Sequence, residues 1–337
     1  MKIVFTGGHH NSALVVASAL EKKGFKIYWF GHKHTMKNDK SLSAEYLEVK
    51  RHKLPFYEIK TGKFYKTVNL FSWFKIGLGF FQSFILLYKL KPKFIVSFGG
   101  YLAVPVVLAG YLLKIPSITH EQTTQAGMAN LTLARFVKKV FLTWPSSLKF
   151  FPKSKVEVVG LPMDTYFFKA KKINIFNNNL PTLFIIGGKQ GSHLINNILK
   201  NSLPRLLNKF NIIHQSGRVI KTGDFESLQK LKAALPAELQ TRYKLKPYFF
   251  KKELVNNMVS SDLIISRSGA HIIYELMALG KPAILIPISW VYKNEQRKNA
   301  EKLQKLKMAV VISEKGINSI KLEEEINFCI KNLSNLK

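Results

Sequence analysis

The chain has a single cysteine, Cys329, in 337 residues. One thiol excludes an internal disulfide framework and a cysteine-ligated zinc site, and it fits a reducing cytosol. Aspartate is almost as scarce: Asp39, Asp164, Asp224 and Asp262 are the only four, and no two fall within three residues of each other. A D-x-D clamp for a metal-bridged diphosphate is therefore missing, so a diphosphate bound here must be neutralised by N–H groups, helix dipoles and cationic side chains. Neither G-x-G-x-x-G nor the Walker lysine motif occurs, which removes the usual cradles for hydride transfer and ATP hydrolysis. Arginine is rare too: 7 of the 52 basic residues, leaving 52 − 7 = 45 lysines. Sequence-specific nucleic-acid readers depend on arginine forks, so no nucleic-acid partner is expected. No secretory leader is expected either, because Met1-Lys2 runs straight into a short β-rich stretch and a glycine turn.

What the chain has in excess is positive charge, a formal net +32. Such a charge asks for an anionic partner, whether a membrane surface, nucleic acid or phosphorylated substrates, unless it is only a solvated lysine-rich surface. Hydrophobic residues make up 47% of the chain, enough at this length to build two cores. The pattern opens with a strand over 2–5, a glycine turn, a helix through Ala13, Leu14, Val16, Ala17 and Leu20, and a second strand over 25–30. Strand and helix alternate again at 94–98 and 104–113, and a fresh strand-turn-helix series starts at 182. A break near Val158-Val159-Gly160-Leu161-Pro162, followed by a polar stretch over 169–179, divides the chain into domains 1–160 and 161–337. The fold class is α/β, with two Rossmann-like parallel-sheet halves and a cleft expected between them. Residues 70–90 break the alternation: aromatic and apolar, they are interrupted by Lys75, Gly77 and Gly79 and flanked by lysines through Lys93. They make a poor membrane span and read as either an interfacial element or a buried aromatic helix.

Residues 266–280 carry the clearest chemical signal. The turn Arg267-Ser268-Gly269-Ala270 opens a helix whose unpaired N–H groups can hold a diphosphate, and Glu275 on the same helix can accept ribose hydroxyls. An ordinary strand-to-helix connection would also use serine and glycine. Three further glycine turns follow strands: Thr6-Gly7-Gly8-His9, Gly99-Gly100-Tyr101 and Gly187-Gly188-Lys189-Gln190-Gly191-Ser192. His9, where a loop meets the first helix, is a candidate general base, with His10 beside it. In His120-Glu121-Gln122 the carboxylate can orient a base, hold a sugar hydroxyl or cap a helix.

These stretches, with His214-Gln215-Ser216-Gly217 and Gln296 followed by Asn299-Ala300, stand in the order and spacing of the MurG family, and the resemblance covers about residues 3 to 315. The family adds N-acetylglucosamine from a UDP donor to a lipid-linked muramyl pentapeptide in peptidoglycan synthesis. The resemblance implies an inverting GT-B glycosyltransferase with an acceptor domain first, a nucleotide-sugar domain second, no metal and no other cofactor. It implies His9 as base with Glu121 as second catalytic residue, and Thr6, Gly7, Gly8, Tyr101 and Asn130 on the acceptor side. Gly188, Lys189, Gln190, Ser268, Gly269 and Ala270 would hold the nucleotide, Glu275 the ribose, and Gln296 and Asn299 the donor sugar. Residues 70–93 would dock on an anionic membrane, at its cytoplasmic face. Another lipid-linked acceptor, UDP-sugar epimerisation and a non-catalytic basic surface protein are the competing readings.

The chain departs from the family at Val4-Phe5 before the first turn, at Thr123, at Lys189 and at Leu161-Pro162-Met163-Asp164, where the family carries an arginine. Lys189 is expected to supply the missing cation. Lys189→Ala should then raise the Michaelis constant for a UDP-sugar, and an unchanged constant would remove Lys189 from the site.

Overall fold

A computed structural model describes the chain apart from residues 35–41, 63–69, 189, 218, 220, 221, 292, 293 and 337 and the side chains of 44, 70–73 and 251. Its contacts divide it into two compact units, Met1–Asp164 and Thr165–Lys337.

The first unit is built on seven parallel strands: β1 (Lys2–Thr6), β2 (Lys26–Gly31), β3 (Phe56–Glu58), β4 (Phe94–Ser97), β5 (Ser117–Glu121), β6 (Lys139–Leu142) and β7 (Val156–Val158). They lie in the order β3-β2-β1-β4-β5-β6-β7. Parallel sheets are covered on both faces, which is why β1 is a nearly unbroken apolar run. Val4 shares one face with Phe30, Ile95 and Leu87. Ile3 and Phe5 share the other with Trp29, Val96 and Phe98. Phe5 stacks on Trp29 at 6.0 Å and on Phe98 at 6.3 Å, so one ring ties three neighbouring strands together.

Residues 70–90 form one continuous helix, Leu70–Leu90. The glycines do not break it. Gly79 lies so close to Thr61 that a Cβ would stand 2.6 Å from it, so here the missing side chain lets the helix approach its neighbour. Leu87 and Ser83 are buried, whereas Phe74, Leu78, Phe81, Ile85 and Tyr88 are exposed at alternating spacings of four and three, a single outward stripe. No helix among the described residues is long and apolar enough to cross a membrane.

The second unit has six parallel strands: β8 (Thr182–Ile186), β9 (Asn211–Gln215), β10 (Tyr243–Lys246), β11 (Leu263–Ser266), β12 (Ala283–Leu285) and β13 (Ala309–Val311). Their order is β10-β9-β8-β11-β12-β13. The polar stretch over 169–179 belongs to this unit and is tied to its surface. Lys172 pairs with Asp262 at 2.9 Å, Ile173 N–H donates to Ser260 Oγ at 3.0 Å, and Asn178 and Asn211 exchange side-chain hydrogen bonds. In both units the winding reverses beside the first strand, between β1 and β4 and between β8 and β11. Open α/β sheets bind ligands outside the strand ends at such reversals.

Glycine backbones meet at that edge of the second unit. Gly191 has φ +81°, and a Cβ there would overlap the Ser216 carbonyl; one on Gly217 would overlap the Gln190 carbonyl. Gly191→Ala should therefore cost more than about 1 kcal/mol from the left-handed backbone alone. A urea midpoint equal to the parent's would show that the turn can relax.

Candidate active site

In the first unit the turns after β1 and β4 are pressed together. Gly8 N–H donates to Gly99 O at 2.9 Å and Phe98 N–H to Thr6 O at 2.8 Å. A Cβ on Gly7 would lie 2.7 Å from Gly99 O. This contact sets His9 at the start of the helix His10–Lys22, where its side chain makes no capping bond. Burial lowers the His9 pKa, and the charge of Glu121 offsets part of that effect. His9 is thus held neutral at neutral pH, with a ring nitrogen able to accept a proton.

Glu121, at the end of β5, is buried and surrounded by donors. Its Oε1 accepts from Thr123 N–H at 2.9 Å and Thr123 Oγ1 at 2.8 Å, and its Oε2 from Gly127 N–H at 2.9 Å and Asn130 Nδ2 at 3.0 Å. Four donors fix the carboxylate in place, within electrostatic reach of His9. One of these bonds also braces a helix start, since Gly127 is the N-cap of the helix Met128–Leu133 and Glu121 accepts its N–H. Thr123, a departure from the family pattern, supplies two of the four donors. Asn130 also accepts from Thr119 Oγ1 at 2.6 Å and lies against Gly99, so it joins Glu121 to the second glycine turn. His120, the neighbour of Glu121, donates from Nε2 to Gly160 O at 2.9 Å.

Tyr101 follows the second glycine turn and packs its ring 5.2 Å from that of His32. Burial raises the Tyr101 pKa, and the charge of Glu45 adds to the rise. Glu45 carries no assignment from the sequence. Its Oε1 accepts from Trp29 Nε1 at 2.8 Å and its Oε2 from His32 N–H at 3.3 Å. Burial pushes its carboxyl up to about 7 against those two bonds. The only local sign is a glycine: a Cβ on Gly31 would stand 2.8 Å from Glu45 Oε1.

In the second unit β11 ends at Ser266, and Gly269 is the N-cap of the helix Ala270–Leu279. Its φ of −64° is ordinary and a Cβ there would meet nothing within 4 Å. Neither strain nor packing calls for glycine at 269, and its bareness leaves the helix-start N–H groups open to a bulky anion. The first turn of that helix has no acidic residue, and Glu275 sits part-buried on the second.

The turn is braced from behind. Arg267, buried, donates from Nε to Ser192 Oγ at 3.1 Å and from Nη1 to Ile286 O at 3.0 Å, and pairs through Nη2 with Glu314 at 2.7 Å. Arg267 thus joins the turn Arg267-Ser268-Gly269-Ala270 to the serine that caps the helix His193–Leu207, a role its place in the motif did not reveal. Gln296 Oε1 accepts from Ile288 N–H at 3.1 Å and Ser268 N–H at 3.4 Å, and Gln296 O accepts from Ser268 Oγ at 2.8 Å. Asn299, fully buried, donates to Ser268 O at 3.2 Å. Where the resemblance implies sugar contacts, these two side chains hold the turn itself. Gly188 O accepts from Gln215 Nε2 at 3.0 Å, and Gln190 lies against Gly217; Lys189 between them is outside the described residues. Among the described residues no three His, Cys, Asp or Glu side chains gather as a metal-binding group.

Comparison with known proteins matches the glycosyltransferase family 28 N-terminal domain to residues 4–142 and its C-terminal domain to residues 182–337. A Clostridium tetani protein named UDP-N-acetylglucosamine–N-acetylmuramyl-(pentapeptide) pyrophosphoryl-undecaprenol N-acetylglucosamine transferase is 31% identical over 98% of this chain and 90% of its own length. A Legionella pneumophila protein of the same name is 32% identical over 93% of the chain and 84% of its own. The crystal structure of Acinetobacter baumannii MurG superposes with a TM-score of 0.73 at 25% identity, covering 99% of this chain and 92% of that one.

Proposed function

Because the chain belongs to glycosyltransferase family 28, we propose that it transfers N-acetylglucosamine from UDP-N-acetylglucosamine to the muramyl sugar of a polyprenyl-pyrophosphate-linked pentapeptide. The observation that carries the donor half is the open, acid-free helix start at Gly269 with Glu275 one turn further on, a seat for a diphosphate beside an acceptor for ribose hydroxyls. Gln296 and Asn299 serve this seat by fixing Ser268, and Gly188 and Gln190 join it from the neighbouring turn; Lys189, outside the described residues, is proposed as its cation.

The reaction is a direct displacement that inverts the anomeric carbon. His9 takes the proton of the acceptor hydroxyl as its oxygen bonds to the anomeric carbon, and the bond from that carbon to the UDP oxygen breaks. Glu121 stabilises the imidazolium that forms. Thr6, Gly7, Gly8, Tyr101 and Asn130 shape the acceptor side. The departing diphosphate is met by the N–H groups of Gly269 and Ala270, since a helix start alone contributes only about 0.3 to 2 kcal/mol. The chain lacks a D-x-D pair to present a metal, which supports a reaction run without one.

The outward stripe Phe74, Leu78, Phe81, Ile85 and Tyr88, with Lys75, Lys89, Lys91 and Lys93 around it, supports peripheral docking on an anionic lipid surface. An aromatic face meets the acyl boundary while ammonium groups stay at headgroup level. The cytoplasmic face fits a nucleotide-sugar donor and a chain with one cysteine.

Labelled UDP-N-acetylglucosamine incubated with the lipid-linked muramyl pentapeptide should yield the disaccharide lipid at the same rate with and without chelator. Transfer to diacylglycerol instead, or isomerisation of the donor with no acceptor, would replace this reading. His9→Ala should lower turnover on the order of a hundredfold while UDP still binds. In the parent, kcat/KM should fall as pH drops through a pKa below 6.5, where His9 takes up a proton. Paired Phe74→Ser and Phe81→Ser changes should weaken sedimentation with anionic vesicles, and undiminished sedimentation would move the docking surface elsewhere.

A further inference from the structure

The acceptor-side groups above leave one sheltered carboxyl without a task. Glu45 stands in the first turn of the helix Ala44–Arg51, and three features hold it there. Ser43 caps the helix by accepting from Tyr46 N–H at 3.1 Å and donates to His32 O at 2.6 Å, which pins the helix start to the end of β2. Trp29 and the backbone of His32 donate to the two carboxylate oxygens, at 2.8 and 3.3 Å. Gly31 lets the carboxyl and the Phe56 ring pack closely on β2, since a Cβ there would stand 2.8 Å from each.

The same helix reaches the helix His10–Lys22, which His9 precedes. Glu48, three residues after Glu45 and so on the same face, lies 3.5 Å from His10 Nε2. His52, just past the helix, bonds Ser18 on the helix that His9 begins, at 3.3 Å. One short helix therefore fastens both to the element led by His9 and to the strand end that carries His32. Tyr101 packs on His32 and senses the charge of Glu45.

A carboxylate is a costly choice for a purely structural bond in such shelter. A neutral side chain could accept from Trp29 without the penalty of burying charge. The structure holds both carboxyl oxygens on fixed donors at the end of β2, which points to a role for the position of the group.

We infer that Glu45 is a positioning residue for the acceptor, holding the His32–Tyr101 pair in register with the glycine turns through its bonds to Trp29 and His32. This rests on the acceptor-side reading of Tyr101 given above. Glu45 touches no substrate in this account. It acts through Tyr101, so its loss should fall on use of the acceptor and spare the donor.

The test is a double-mutant cycle with Glu45→Gln and Tyr101→Phe in the full chain, following the Michaelis constants of both substrates, UDP affinity and the melting temperature. Glu45→Gln is expected to raise the acceptor constant about tenfold, the scale of the one hydrogen bond that an amide nitrogen cannot accept, with donor constant and UDP affinity unchanged. The double variant should be no worse than the more impaired single one. Losses that multiply in the double variant, a rise in the donor constant equal to that of the acceptor, or an unchanged acceptor constant in Glu45→Gln would each overturn the inference. An unchanged acceptor constant in Tyr101→Phe would overturn both it and the acceptor-side reading of Tyr101, whereas a failure confined to Glu45→Gln leaves that reading standing. Should Glu45→Gln unfold, His32→Ala carries the test: it keeps the backbone N–H that Glu45 accepts but removes the ring on which Tyr101 packs, and should give the same split between acceptor and donor.

Discussion

Backbone lying directly against backbone is the constraint on which both units depend. At the strand ends of the first unit Gly7 and Gly8 are packed on Gly99 and Gly100, and in the second Gly191 is packed on Ser216 and Gly217. Each contact leaves no space for a side chain; the first lies where its sheet reverses its winding, between β1 and β4, and the second joins the ends of the neighbouring strands β8 and β9. The side chains that matter chemically are therefore placed by turns that cannot drift. His9 follows one such contact directly, Asn130 leans on Gly99, and Ser192, just after Gly191, receives Arg267.

Around these turns the protein spends its few carboxylates in sheltered places. Glu121 is matched by four donors, Glu314 by Arg267 and the Ser289 N–H and hydroxyl, and Glu45 by two donors in a site that favours its neutral form. The many lysines lie mostly at the surface. The division explains how a chain of such high net charge keeps acidic groups where local geometry needs them, since a lone carboxylate among hydrogen-bond donors does not depend on the average charge.

The sequence was most legible where local pattern and tertiary role agree. The central strands β1, β4, β8 and β11 are short apolar runs followed by glycine or serine turns, and the pattern finds each of them. Strands β3, β6, β7, β10 and β13 are three or four residues long, and several mix lysine or glutamate with apolar residues, as in Tyr-Lys-Leu-Lys over 243–246. Edge and near-edge strands show that pattern because one face meets water, and it cannot be told from a loop. The sequence leaves residues 70–90 between an interfacial element and a buried aromatic helix because of the interrupting glycines, and only packing on Thr61 shows what Gly79 is for. Within the site, Glu121 and Gly269 were visible as types but not in their surroundings. Glu45 could not be seen at all, because Trp29, Gly31 and Tyr101 lie on other elements and no spacing rule joins them.

The strand order has a consequence for how the chain is made. The first sheet closes with β7, whose partner β6 precedes it in the chain, so every strand of that unit has been synthesised by residue 158. No strand of the first sheet waits for a partner from the second. The N-terminal half can complete its hydrogen-bonded ladder while the C-terminal half is still being translated, and domains generally fold as units in that order. Translation then exposes unpaired strand edges one sheet at a time. For a chain whose folded surface already carries an aromatic stripe, this shortens the interval in which further apolar surface is open to aggregation.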